Sequence, residues 1–457
     1  MSGDNMEVGD EPNQPVATSE QTAVGNYFVA NYPPFSFWTP DQREIALAAL
    51  NKPPMPDTPL GVYVHIPFCR KRCHFCYFRV YTDRNAEQIG GYLDAVTDEL
   101  KLYAERELVR GRKPSFVYFG GGTPSYLSVR QLTALADSLR GVLPWDEVKE
   151  VTFECEPGTL SKSKLEALRE LGVTRLSFGV EHFDPHILEV NNRAHGAEEI
   201  YRAWEWAREV GFPQINIDLI AGMMDETDER WQECVSEALK LSPDSVTVYQ
   251  MEIPYNTTIY KEMREQGKIT APVADWPTKR RWVKEAFERF EGEGYRVASA
   301  YTVVKKDLGG DASKESSFLY RDALWTGADL IGLGVASFGH LGGVHMQNQH
   351  ESAPYESRVA AGELPIYRAC AMTDDERLVR QFVLQLKLGK LPLQPFRDRF
   401  GVDPRERFKA ELKSLEDEGH VAAINEDYVE LTRDALLKVD LLVKRFFLAK
   451  HRDARYA

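Results

Sequence analysis

The chain has 457 residues, a formal net charge of −14, 43% hydrophobic and 28% charged residues, a composition that excludes collagen-like, disulfide-scaffold and wholly disordered chains. Its acidic surplus argues against nucleic acid as the main partner, because phosphate binding needs concentrated Lys and Arg. No apolar run approaches the roughly 18–20 residues needed to span a bilayer, and the opening MSGDNMEVGDEPNQPVATSEQ lacks the basic and apolar regions of a signal peptide, so a cytoplasmic location is expected. Residues 1–26 are polar and without periodicity, and read as a disordered acidic tail. Residues 27–58 begin aromatic and proline-rich and continue as a short helix; they read as a strap, with Tyr32 and Trp38 candidates to cover a substrate.

From residue 59 short β-branched or aromatic runs at 61–66, 115–119, 150–154, 174–180, 214–220 and 245–251 alternate with helical patterns. Strict alternation of this kind predicts an α/β architecture on a parallel sheet, here a partial TIM-type barrel of six β/α units. The segment 276–302 extends the sheet, and 332–339 reads as a glycine-rich strand ending in His340. The barrel with its extension is assigned to 59–370, and 371–457 to a small winged-helix-like domain. The wing helix ERFKAELKSLEDEG is mixed in charge, so it gives no reason to expect DNA binding.

Three of the six cysteines, Cys69, Cys73 and Cys76, lie within eight positions directly after the first strand, and Cys155, Cys234 and Cys370 are scattered. Three thiolates suit a [4Fe-4S] cube with one iron left open for a ligand. The competing reading is a zinc site with His74 as fourth ligand, but zinc favours paired knuckles and His74 sits inside the tightest turn. Arg70, Lys71 and Arg72 are expected to stabilise the thiolates and lower the thiol pKa. Gly120-Gly121-Gly122-Thr123 follows the second strand, and glycines let backbone approach a ligand. Glu154 ends the third strand, facing the mouth of a barrel, and Asp218 lies inside an apolar strand where it needs a partner.

The cysteine loop, the glycine turn and the alternating strands together closely resemble the radical S-adenosylmethionine superfamily, in the branch of oxygen-independent coproporphyrinogen III oxidase and its relatives. The resemblance runs from about Asn31 to the C-terminus. It implies a cube held by Cys69, Cys73 and Cys76, whose open iron chelates S-adenosylmethionine, with Phe75 at the adenine and the 120–123 turn at the methionyl amine. It further implies Glu154 and Asp218 at the ribose, adenosine or amine, Arg193 at the methionine carboxylate, and Tyr63 near the reacting groups. It also implies an electron donor such as flavodoxin or ferredoxin and a small-molecule substrate.

Three departures bear on the substrate. Phe78 stands where the resembled oxidase carries a further cysteine, and Glu181 replaces a glutamine at the end of the fourth strand. Glu252 adds a carboxylate where that oxidase has a small residue. Glu181 and Glu252, taken as catalytic-site acids with Tyr63, disfavour a substrate with four carboxylates. Methyl or methylene transfer to an unsaturated molecule, using a second S-adenosylmethionine, is therefore expected ahead of porphyrinogen decarboxylation. A haem-binding chaperone is the third reading, although Tyr320-Arg321-Asp322-Ala323-Leu324-Trp325 lacks the His-Asn pair of that branch. His182, His186, His195, His340 and His345 are candidates to approach the mouth, each more often structural.

Overall fold

Along β1 (Leu60–Ile66), Val62, Val64 and Ile66 enter the main apolar core, while Tyr63 and His65 take the opposite face. The same division runs through β2 (Phe116–Gly121), β3 (Glu150–Cys155), β4 (Arg175–Glu181), β5 (Gln214–Ala221) and β6 (Ser245–Gln250). Their apolar positions, such as Phe119, Phe153, Phe178, Ile217 and Val248, pack under the crossover helices. The other face carries Tyr118, Glu154, Ser177, Asp218 and Thr247. A parallel sheet with its apolar side under helices and a polar inner side curls into an open barrel with a wet interior. This computed structural model describes residues 28–266, 272–306, 318–452 and 454; the tail expected over 1–26 lies outside the described residues.

β1 to β6 pair in chain order, all parallel. β7 (Tyr295–Val297) and β8 (Thr302–Lys305) run antiparallel beyond β6, so the expected extension is present but breaks at a turn over 298–301. β9 (Asp329–Leu333) adds a seventh parallel strand on the far side of β1. β10 (Phe338–Leu341), β11 (Val344–Asn348) and β12 (Ile366–Ala371) continue that edge antiparallel. The glycine-rich strand expected over 332–339 is thus two strands around a turn. Gly334 (φ 99°) and Ala336 (φ 57°) reverse the chain there, and Glu99 holds the turn by accepting from Gly334 N at 2.8 Å, Asn348 Nδ2 at 2.7 Å and Tyr355 Oη at 2.6 Å.

The C-terminal part begins with the helix Asp374–Leu386 and contains an antiparallel sheet of β13 (Lys390–Pro392), β14 (Val421–Ile424) and β15 (Tyr428–Leu431). Phe382, Phe396, Phe408 and Phe446 centre a second apolar core. The start of the strap docks into it, and the strap's helix Arg43–Leu50 packs on the main core. Tyr32 is fully buried, its hydroxyl 2.7 Å from His451 Nδ1, and Trp38 stacks on His345 at 4.8 Å. Lys387 ties the strap down, with Nζ 2.6 Å from both the Val29 carbonyl and Asp440 Oδ1. Among the described residues, no helix is long and apolar enough to cross a membrane.

Candidate functional site

Solvent access on the barrel strands falls on inward positions toward their C-terminal ends. Tyr63, Glu154, Gly179, Glu181 and Asp218 stay half-buried while their core-side neighbours are closed off, and Tyr249 is 43% exposed. That end of the barrel is therefore the mouth, where loops after the strands build a site.

The cysteine loop leaves β1 at Pro67 and closes on itself, Tyr81 N donating to the Pro67 carbonyl at 2.7 Å and Cys69 N to the Tyr81 carbonyl at 3.0 Å. Its tight turn is Cys76 N to the Cys73 carbonyl, 3.1 Å, with Arg72 Nη2 donating to the Cys76 carbonyl at 3.0 Å. His74 Nδ1 faces the Val190 carbonyl at 3.1 Å, so its ring is engaged by backbone instead of serving as a fourth ligand. All three thiols are free. Thr123 Oγ1 donates to Cys69 Sγ at 3.2 Å and Arg193 Nη1 to Cys73 Sγ at 3.1 Å. Among the described residues no three His, Cys, Asp or Glu side chains are grouped for a single metal ion. A cube gives each thiolate its own iron and so takes ligands set further apart, and a loop with three free thiols fits that donor set.

Of the basic run after Cys69, Arg72 lowers the Cys76 thiol as expected, but burial outweighs it. Burial pushes Cys69 up to about 12 and Cys76 to about 11, outweighing Arg193 and Arg72. Arg70 turns instead to Glu156 at 3.1 Å and the Ala194 carbonyl at 2.7 Å. Cluster assembly must therefore expel protons from buried thiols. Cys155, Cys234 and Cys370 are separate and buried.

The glycine turn is dictated first by its own neighbours. A Cβ on Gly121 (φ 117°) would stand 2.6 Å from the His65 ring, and one on Gly122 2.9 Å from Cys69 Sγ. Gly120 abuts the Tyr118 ring in the same way. Glu154 is fixed by Tyr118 Oη at 2.7 Å and Gly121 N at 3.0 Å, and burial raises its carboxyl to about 7. Tyr63 Oη lies 2.9 Å from His65 Nδ1.

Arg193 and Glu181 meet across the mouth. Glu181 takes a left-handed backbone (φ 65°) at a β-bulge in the β4–β5 ladder, the kind of device that re-aims a strand-end side chain. Its carboxylate is 3.5 Å from Arg193 Nη2, which also donates to the Gly179 carbonyl at 2.6 Å. Burial lifts Glu181 to about 7 despite that cation. Asp218 is held by Ser177 Oγ at 2.8 Å and Asn216 Nδ2 at 2.9 Å, so the ion pair with Arg193 that its burial suggested is not its partner. Phe75 packs beside Met223, Met224 and Met251, an apolar shelf next to the cysteine loop. Glu252, just past β6, interacts electrostatically with Lys279, Lys387, Lys444 and Tyr77.

The histidines have structural partners. His182 pairs with Glu226 at 3.0 Å, His186 with Asp225 at 2.5 Å and His195 with Glu156 at 2.9 Å. His340 and His345 are buried beside each other, their rings 4.6 Å apart. Two inward residues were not singled out from sequence, His65 and Arg175. Their signal was strand alternation, which puts His65 on the face of Tyr63 and Arg175 on that of Ser177.

The Radical SAM superfamily model matches residues 63–238 and the HemN C-terminal domain model matches 372–437. The chain is 30% identical over 362 residues to the oxygen-independent coproporphyrinogen III oxidase of Pseudomonas aeruginosa, covering 78% of this chain and 77% of that protein. It is 28% identical over 367 residues to the heme chaperone HemW of Bacillus subtilis, covering 79% and 92%. The solved structure of coproporphyrinogen III oxidase (HemN) from Escherichia coli, a radical SAM enzyme, superposes with a TM-score of 0.78 at 26% identity, covering 93% of this chain and 99% of that one.

Proposed function

Because this chain belongs to the radical S-adenosylmethionine superfamily, in the branch of oxygen-independent coproporphyrinogen III oxidase and its relatives, we propose that it oxidatively decarboxylates the propionate side chains of a porphyrinogen. The observation that carries this reading is the end-to-end correspondence with the oxidase structure, 93% of one chain on 99% of the other, C-terminal part included. The charge argument against a tetra-carboxylate loses its force in the geometry. Glu181 is paired with Arg193, and Glu252 lies in the field of three lysines, so neither adds a bare negative charge to the mouth. Methyl or methylene transfer, which rested on that argument, has no such support.

The family's [4Fe-4S] cluster and S-adenosylmethionine supply, when bound, a one-electron cleavage of the sulfonium to methionine and a 5′-deoxyadenosyl radical that accepts a hydrogen atom. The net change per side chain, propionate plus S-adenosylmethionine to vinyl, carbon dioxide, methionine and 5′-deoxyadenosine, balances in atoms and charge. Cys69, Cys73 and Cys76 hold the cluster, with Thr123 and Arg193 donating to two of the sulfurs. Arg193 also orients the methionyl carboxylate, Glu154 and Asp218 the sugar and amine, and Phe75 with its methionine shelf takes the adenine. Gly120, Gly121 and Gly122 bring backbone close beside them. Tyr63, fixed by His65, stands on the inner wall as a hydrogen-bonding group near the reacting side chain. Residues 27–58 serve as a structural strap and 371–457 as a separately cored C-terminal domain. A flavodoxin- or ferredoxin-type donor would supply the electron for the cleavage, and one electron would leave each side chain with its carbon dioxide, taken up by an acceptor of the same redox class.

The test is anaerobic incubation of the reconstituted protein with coproporphyrinogen III, S-adenosylmethionine and reductant. The expected result is vinyl product with one 5′-deoxyadenosine per carbon dioxide, and no iron loading in Cys69→Ala. 5′-Deoxyadenosine with S-adenosylhomocysteine and unchanged porphyrinogen would replace this reading with methyl transfer. Haem binding with no 5′-deoxyadenosine under any reductant would make the protein a chaperone.

A further inference from the structure

Four aromatic rings cluster on the inner wall of the barrel below the mouth, two of them on β1 and β2. Tyr118 and Tyr320 lie 4.4 Å apart, with Tyr63 5.9 Å from Tyr118 and Phe318 5.9 Å from Tyr320. The helix Leu319–Trp325 closes this end, Glu150 at the start of β3 accepting from Leu319 N at 2.9 Å and Tyr320 N at 3.1 Å.

Arg175, the first residue of β4, alternates with core-facing Leu176 and shares the inner face with Ser177. Its guanidinium lies over the Phe318 ring at 4.1 Å, and the residue is only 2% exposed. Nε and Nη1 are sealed from solvent without a hydrogen-bond partner, and among the described residues the nearest charge acting with Arg175 is that of Asp218, which it does not hydrogen-bond. A ring face recovers only part of the hydration a buried guanidinium loses. The neighbouring inward acids are already engaged. Asp218 is bound by Ser177 and Asn216, Glu154 by Tyr118 and Gly121, and Glu181 by Arg193. Buried donors left open on a native guanidinium call for an acceptor, and the strongest one for a guanidinium is a carboxylate.

We propose that Arg175, backed by Phe318, seats one carboxylate of the substrate at the closed end of the barrel. The inference rests on the carboxylate-bearing substrate proposed above and assigns it a binding residue. The seat fixes how deep the substrate enters, and so which of its side chains reaches the cysteine loop.

The reconstituted protein can be titrated anaerobically with coproporphyrin III, a stable fluorescent tetra-acid, and with its tetramethyl ester. In Arg175→Gln the affinity for the acid should fall at least tenfold while the ester binds as to wild type. Arg175→Lys should fall between, which guards against a variant that misfolds. Equal losses for acid and ester at unchanged iron content would reduce Arg175 to a packing role and overturn the proposal. So would an unchanged acid affinity, or loss of a bound S-adenosylmethionine equivalent instead. If wild type neither binds coproporphyrin nor converts coproporphyrinogen, the functional reading fails on its own. Arg175 is then judged by propionate alone, which should perturb Phe318 resonances in wild type and not in Arg175→Gln; no difference would overturn the seat as well.

Discussion

Arg193 donates to the thiol of Cys73 across 3.1 Å, so the segment that follows β4 is wired directly to the cysteine loop 120 positions earlier. The same guanidinium holds Glu181, so with Arg193 at the methionyl carboxylate, as proposed, cofactor binding is expected to depend on Glu181.

Above pH 7 an ionised Glu181 occupies Arg193 and repels a second carboxylate; below it, the neutral acid releases the cation. S-adenosylmethionine affinity should therefore weaken as pH rises from 6 to 8, and Glu181→Gln should flatten that dependence. Arg193→Lys, which cannot span thiol, carbonyl and carboxylate together, should bind the cofactor about tenfold more weakly, equivalent to about 1.4 kcal/mol, at unchanged iron content. Equilibrium dialysis on reconstituted protein measures both effects; because Glu154 titrates in the same range with the opposite effect on the amine, the deciding outcome is the comparison, and a Glu181→Gln profile parallel to wild type would rule out the competition.

Gly121→Ala combines a positive φ with a Cβ 2.6 Å from an aromatic ring. The expected cost is about 2–4 kcal/mol from strain and overpacking, with His65 displaced from Tyr63. Denaturant unfolding reads the loss. Gly90→Ala, at a helical site with nothing near its Cβ, should be neutral or slightly stabilising.

Glu99 is fully buried, and burial holds its carboxyl up at about 8 in spite of three donors. Its folded pKa lies above the unfolded one, so the folded state binds the extra proton. Its contribution is greatest below about pH 4.5 and is lost as pH rises through 8, by a few kcal/mol on the order-of-magnitude scale of linkage. Other groups titrate too, so the measurement is the stability difference between wild type and Glu99→Gln against pH. That difference should slope between pH 4.5 and 8 and level off beyond; a flat curve would mean Glu99 is ionised throughout.

Lys387 and Asp440 form a buried pair that also holds the strap backbone at Val29. Lys387→Met removes the nearest cation from Asp440, which keeps Val29 N, Tyr301 Oη and the charge of Lys444, and should destabilise by about 1–3 kcal/mol. Proteolysis within residues 28–38 should accelerate before the barrel is cut, whereas simultaneous cleavage everywhere would show that the strap has no separate opening.

The six parallel strands and the cysteine loop were legible because both are local patterns, alternation over a few residues and a three-thiol spacing. Glu154, Asp218 and Glu181 lie on barrel strands, and Arg193 follows the short helix Pro185–Val190 after β4. What local pattern cannot hold is pairing at long range. Nothing near Tyr32 says that its hydroxyl meets His451, and nothing near Glu252 announces Lys279, Lys387 and Lys444. The pull of Arg70 toward Glu156, which takes it from the thiols, is of the same kind. The split of 332–339 had a local sign in Gly334, but Ala336 at positive φ is imposed by the Asn348 and Glu99 clamp around it.

The pairing of β1 with β9 sets a timetable for biosynthesis. Leu60 finds its partner Asp329 only after 269 further residues have left the ribosome. At 5–20 residues per second, that edge of β1 stays bare for roughly 13–54 s, a template for stray strand pairing. The loop carrying Cys69, Cys73 and Cys76 hangs from this unfinished strand throughout. Yield of soluble protein should thus depend on translation speed and on chaperones that shield a nascent sheet edge, and iron delivery is best timed after residue 333 has emerged.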